Sequence, residues 1–149
     1  MEMLHYLSCG LENIWLVNGY YVIDTPYGKA TSIQNIEGLH KAIGLFLVNN
    51  KPQLNGSEIR FLRKELDLSQ VDLSDLLGVS ESSIRSWEHD RAKVSVPAEK
   101  MIRLLYEEKV NGHKGINEIL ERISQLNRDI YQSEKILLEE TNSGWKQAA

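Results

Sequence analysis

Apolar positions in the middle of the chain recur at helical spacing, and small polar residues cut the pattern into short pieces. Ile59, Leu62 and Leu66 form one face, at the three-and-four spacing of an amphipathic helix. Asn55 and Glu58 precede them, as a cap and its reciprocal partner would; Arg60, Arg63 and Lys64 fall outside the apolar face. Val71, Leu73, Leu76 and Leu77 make a second stripe, preceded by Ser69 with Asp72 three residues on, again close to a capping box. Gly78 follows where a helix ends and the chain needs a positive φ. Ser80 then caps a helix over Glu81 to Glu88, in which Ile84 and Trp87 share a face. Pro97 suits the first turn of a further helix, with Met101, Leu104 and Leu105 as its apolar face and a break from Gly112 to Gly115.

The first fifty residues read differently. Ile14 to Val17 is a short apolar run, Asn18-Gly19 a turn signal, and Tyr20 to Asp24 an alternating aromatic and β-branched stretch. Thr25-Pro26-Tyr27-Gly28 has the composition of a turn, and Lys29 to Ile33 supplies a returning strand. The expectation is an antiparallel sheet of two or three strands. Asn35 caps a helix from about Ile36 to Val48, with Leu39, Ile43, Phe46 and Leu47 on one face. Such a small sheet needs a covering element in water, so the helix is expected to pack across it. His40, beside the apolar face, reads as a partly buried structural histidine. Asn49 to Pro52 is a polar linker with a helix breaker, which places a domain boundary near residue 53.

Ile116 to Leu138 forms one long helical pattern. Ile119, Ile123, Leu126, Ile130, Ser133 and Leu137 alternate at spacings of four and three, the period of a coiled-coil seam. A dimerisation helix and a helix packed on its own domain both satisfy it. Thr141 onward is polar and reads as a frayed tail.

Composition narrows the chemistry. Cys9 is the sole cysteine among 149 residues, which excludes an internal disulfide and a Cys-rich zinc knuckle. His5 and Cys9, four apart, are a weak metal signal, and no metal or other cofactor is expected. The four histidines are scattered, and no Gly-rich phosphate loop or nucleophile–base constellation is spaced for catalysis, so an enzyme is not expected. No apolar run is long enough to span a bilayer, and the first residues lack the basic and apolar regions of a signal peptide, which leaves the cytoplasm as the default. The net charge is −4, and residues 55–110 hold nine Lys/Arg against eleven Asp/Glu. That total argues against nucleic acid, but binding depends on where the cations lie.

The helix over Glu81 to Glu88 hides Ile84 and Trp87 and presents Glu81, Ser82, Ser83, Arg85 and Ser86, which are short or hydrogen-bonding groups suited to base edges in a major groove. Gln70 can brace that helix or reach a phosphate. Arg91 and Lys93 follow the helix where the DNA backbone would pass. Ser69 and Ser80 place backbone N–H groups at helix N-termini toward phosphates.

Leu68-Ser69-Gln70, a short helix, Leu77-Gly78-Val79-Ser80 and a helix ending Trp87-Glu88 resemble the XRE (Cro and phage-repressor type) helix-turn-helix family over roughly residues 55–110. Together with the flanking patterns, this stretch gives an α+β chain in three parts: a small α+β N-terminal domain (1–53), a mainly helical lambda-repressor-like helix-turn-helix domain (54–112), which is what the resemblance implies, and a long C-terminal helix and tail (113–149). The resemblance also implies a homodimer on a palindromic double-stranded operator, with half-sites about one turn apart. The wider arrangement resembles the MqsA-type (YgiT-like) antitoxins, which pair a small toxin-binding domain with a dimeric XRE domain that represses its own operon. By that likeness Ser82 and Ser86 fall at base-contacting positions, where the family carries larger side chains, and a toxin protein is the implied partner. That family's zinc domain uses two Cys-x-x-Cys pairs, absent here, so zinc is not expected. The N-terminal part then reads as a metal-free relative, a different module or a small-ligand sensor.

Overall fold

The computed structural model describes residues 2–112 and 137–148. Two short strands, β1 (Leu4–His5) and β2 (Trp15–Leu16), pair antiparallel, with Leu4 opposite Leu16. A six-pair hairpin follows, β3 (Tyr20–Thr25) and β4 (Gly28–Ile33), in a register running from Tyr20–Ile33 to Thr25–Gly28. Among the described residues five helices come next: α1 (Ile36–Asn50), α2 (Gly56–Glu65), α3 (Gln70–Leu77), α4 (Glu81–Glu88) and α5 (Val96–Val110). A second hairpin, β5 (Leu138–Thr141) and β6 (Gly144–Gln147), lies near the C-terminal end. No helix of the described residues is long and apolar enough to cross a membrane.

The helix starts lie where small polar residues can satisfy the orphan N–H groups of a first turn. Asn35, Asn55, Ser69, Ser80 and Ser95 each accept a backbone N–H from within their own helix. The two capping boxes, Asn55 with Glu58 and Ser69 with Asp72, are both closed in both directions. Gly78 ends α3 at φ +69°, a conformation that costs a side-chain-bearing residue energy.

One buried cluster runs through the molecule. Ile59, Leu62, Leu73, Ile84 and Ile102 are its largest fully enclosed side chains, each worth roughly 1.5–3 kcal/mol over an exposed position. Tyr6, Leu11 and Leu16 from the N-terminal segment join the same cluster, as do Ile43, Leu47 and Val48 of α1. α1 therefore packs against α5 and α2, and not across the β3–β4 hairpin as its sequence suggested. The hairpin is exposed along both faces apart from its first pair. The reason is the competition for α1's apolar face: Gly44 lets the Tyr106 ring of α5 come so close that an added Cβ would lie 2.1 Å from its hydroxyl. Burial, and next Glu65, pushes the Tyr106 phenol up to about 12, so it stays protonated in the fold.

Polar groups close the junction between α1 and α2. Arg103 of α5 donates from Nη1 to the carbonyls of Val48 (2.8 Å) and Leu47 (3.2 Å), and from Nη2 to that of Lys51 (2.6 Å). These carbonyls lie at the C-terminus of α1, where a cation is favoured; that of Leu47 also accepts the Lys51 N–H. Glu99 holds Arg103 in turn and accepts the Leu54 N–H at 3.3 Å. The stretch read as a polar linker thus begins inside α1, which includes Asn49 and Asn50, and its remainder is pinned by one arginine.

Several other expectations need correction. Met101 and Leu104 are exposed, and the buried face of α5 is Ala98, Ile102, Leu105 and Tyr106, because Tyr106 rather than Leu104 meets α1. Val71 is exposed too. Arg63, expected outside the core, is buried. Of the seam residues, Ile119, Ile123, Leu126, Ile130 and Ser133 lie outside the described residues. Leu137 is exposed and not helical: its carbonyl accepts the Ala148 N–H, and Leu138 already belongs to β5. The expected frayed tail is this hairpin. Its turn, Thr141 to Gly144, is closed by the Thr141 hydroxyl on the Gly144 carbonyl, with Gly144 at φ +110°.

Candidate nucleic-acid interface

α4 is set by contacts on its rear. Ile84 is fully enclosed and Trp87 nearly so, as their shared face required. Behind them Glu88 is buried in an ion pair with Arg63 of α2: Nε donates to Oε2 at 2.7 Å and Nη2 to Oε1 at 3.0 Å. Arg63 also donates from Nη1 to the Leu68 carbonyl at 3.0 Å, which ties the α2–α3 connection to the same group. Gln70 donates to Glu88 Oε1 at 3.3 Å. Its side chain is therefore engaged as a brace, one of the two roles expected of it.

The end of α4 is closed just as firmly. Asp90 adopts a left-handed φ of +57° and accepts the Gly56 N–H at 2.8 Å. Gly56 opens α2 against the last carbonyls of α4, and a Cβ there would lie 2.4 Å from the Glu88 carbonyl oxygen. Arg91 and Ala92 return their N–H groups to the Ser86 carbonyl, which fixes the direction in which the following loop leaves.

The opposite face of α4 is open. Ser82 and Arg85 are exposed, while Glu81, Ser83 and Ser86 are half-buried. Arg85 donates to Glu81 at 3.3 Å, one helical turn back. The Ser80 hydroxyl accepts the Ser83 N–H at 3.1 Å and lies within hydrogen-bond reach of the Ser82 and Ser83 hydroxyls. Ser69 is exposed and Gln70 half-buried at the start of α3, and Arg91 and Lys93 are exposed in the loop after α4. The side chains of Arg91 and Lys93 carry no hydrogen bond or ion pair to the described residues, and they border a cleft of about 480 Å³ shared with Asn55 and Gly56.

Sequence reasoning missed the Arg63–Glu88 pair. The two residues are twenty-five apart, and local spacing carries no trace of such a contact. It also left His40 without partners. His40 accepts the Tyr6 hydroxyl at Nε2 (2.8 Å) when Nδ1 carries the proton and donates to Glu65 (2.5 Å). Burial, and next the nearby Cys9 and Glu65, raises the Tyr6 phenol, which keeps it a donor. His5 stacks on Trp15 at 4.1 Å and contacts the Glu12 carbonyl. Among the described residues no group of three His, Cys, Asp or Glu is placed to hold a metal ion.

No curated protein and no solved structure matches the chain. Residues 59–105 match the family model described as helix-turn-helix. The match runs from the core of α2 to that of α5 and takes in the caps Ser69, Ser80 and Ser95, Gly78 and the α3–α4 pair just described. This segment of the chain is similar to helix-turn-helix domains of the XRE type, a family of DNA-binding regulatory domains.

Proposed function

We propose that the protein is a sequence-specific transcriptional regulator that binds a palindromic operator as a homodimer and represses its own gene. The observation that carries this reading is the two-sided character of α4. Its rear is locked by Ile84, Trp87 and the Glu88–Arg63 pair, and its front offers Glu81, Ser82, Ser83, Arg85 and Ser86. A rigid helix with short polar side chains can approach base edges closely. Arg91 and Lys93 position the DNA backbone, and the helix N-termini at Ser69 and Ser80 face phosphates. Two copies related by a two-fold axis give the half-site spacing of about one turn, with the sequence seam Ile119, Ile123, Leu126 and Ile130 as the candidate dimer contact.

The test is a gel-shift titration with the DNA upstream of the protein's own gene, at two salt concentrations, with random DNA as competitor. A shift that survives competitor is expected; binding that disappears equally on both DNAs counts against sequence-specific recognition.

A second reading, an interaction module that neutralises a toxin or other protein partner, has its own support. Trp15 and Phe46, 54% and 58% exposed, flank a groove of about 290 Å³ floored by Leu16, Leu39 and Ile43. Exposed aromatic side chains beside an apolar groove suit a protein partner. Co-purification of a small basic protein, lost in Trp15→Ala, is the expected sign of it. The two readings are compatible in one chain.

A further inference from the structure

We propose that the cleft between the N-terminal turn and α2 holds a backbone phosphate of the DNA, so that the first residues of the chain are part of the DNA-binding surface. The proposal rests on the reading that the helix-turn-helix binds DNA.

The cleft measures about 400 Å³ and is bordered by Ser8 and Gly10 on one side and by Ser57, Arg60, Lys64 and His89 on the other. Arg60 and Lys64 stand one turn apart on the same face of α2, both exposed. Two cations so placed repel one another and weaken the helix unless an anion lies between them. Neither side chain has a hydrogen bond or ion pair to any described residue, whereas Arg63, Arg85, Arg103, Lys51 and Lys109 are all paired with carboxylates. Glu88 also borders the cleft, but its carboxylate is consumed by Arg63. The lining is therefore a guanidinium, an ammonium, an imidazole and two hydroxyls, a donor set matched to a phosphate.

Two observations favour a phosphate of DNA over any other anion. An adjoining cleft shares Arg60 and His89 and is bordered by Ser69 and Gln70 at the start of α3, so the cationic lining continues to a helix N-terminus on the recognition side. The N-terminal wall is also held in place. Tyr6 and Leu11, either side of the turn, are buried. The chain of hydrogen bonds from Tyr6 through His40 ends on Glu65, the residue after Lys64. The turn itself closes through the Gly10 N–H on the Leu7 carbonyl at 3.0 Å.

The experiment uses the full chain and measures the salt dependence of binding to the upstream DNA and to random DNA. In the double variant Arg60→Ala/Lys64→Ala, the slope of log K against log salt is expected to become shallower by about 1, as the loss of one phosphate contact requires. Affinity should fall by a similar factor on both DNAs, leaving their ratio unchanged. Arg60→Lys/Lys64→Arg should restore the slope. Ser8→Asp, which adds an anion on the N-terminal wall at an exposed position, should weaken binding on both DNAs with an unchanged Tm. A wild-type slope in the double variant, while the wild-type protein binds its operator, overturns the inference and leaves the DNA reading intact. Failure of the wild-type protein to bind DNA overturns both. A normal response to Ser8→Asp removes the N-terminal segment from the surface and overturns the proposal as stated. Stabilisation by inorganic phosphate that the double variant abolishes, with an unchanged DNA slope, makes the cleft a small-anion site and overturns it too.

Discussion

The two faces of α4 each carry a glutamate bonded to an arginine, and the two pairs do opposite work. At the rear, Glu88 and Arg63 are buried, bidentate and fixed by further bonds to Leu68 and Gln70. At the front, Arg85 reaches Glu81 through a single 3.3 Å bond, and both side chains are about half exposed. Desolvation makes the difference. A buried charge cannot lose its partner without a large penalty, while water replaces a partner lost at the surface. The same residue types thus make a fixed joint on one face and a releasable contact on the other, and only the second leaves an arginine available to a base.

The largest expected effect tests the rear pair. Glu88→Ala strands the Arg63 guanidinium and should cost about 3–5 kcal/mol of unfolding free energy, read by urea denaturation; a loss below about 1 kcal/mol would mean that water reaches the joint. The next lies at the same junction. Gly56→Ala forces a methyl against the Glu88 carbonyl and should cost about 1–3 kcal/mol, as overpacking at a closed contact does, with a matching fall in Tm. The smallest effect on stability is at the front. Arg85→Ala should move unfolding by no more than about 0.5 kcal/mol. It should nonetheless weaken operator binding by about 1–3 kcal/mol and relax specificity, whereas Lys93→Ala should weaken operator and random DNA alike. Equal losses on both DNAs for Arg85→Ala would remove that residue from base readout and collapse the distinction between the faces.

What could be read in advance follows the range of the interactions. The caps at Asn55, Ser69 and Ser80 and the turn at Gly78 are contacts within four residues, so spacing alone located them. The enclosed pair Ile84 and Trp87 followed from helical period. The Arg63–Glu88 pair, the Arg103 clamp on α1 and the Gly44–Tyr106 contact join residues far apart in the chain, and periodicity holds no information about them. That is also why the buried face of α5 is only partly legible: Leu105 is buried as its spacing predicts, but Leu104 and Tyr106 are both apolar enough to be buried, and the choice between them is made by the glycine on α1. At the C-terminal end a helical period running to Leu138 hid a turn signal that was present. Thr141 and Gly144 repeat the spacing of Thr25 and Gly28, and in both hairpins the threonine hydroxyl bonds to the glycine carbonyl.

The Arg103 clamp has a consequence for the order in which the chain is made. The carbonyls at the end of α1 leave the ribosome about fifty residues before the arginine that satisfies them, and Gly44 precedes Tyr106 by more than sixty. α1 therefore emerges with only its N-terminal cover, from Tyr6 and Leu16, and its packing is completed only after α5 has been synthesised. Contacts of this sequence separation form late and slowly. A nascent chain halted before Arg103 would leave Ile43, Leu47 and Val48 without the cover that α5 gives them, which makes that stretch of translation the interval in which the protein most needs protection from aggregation.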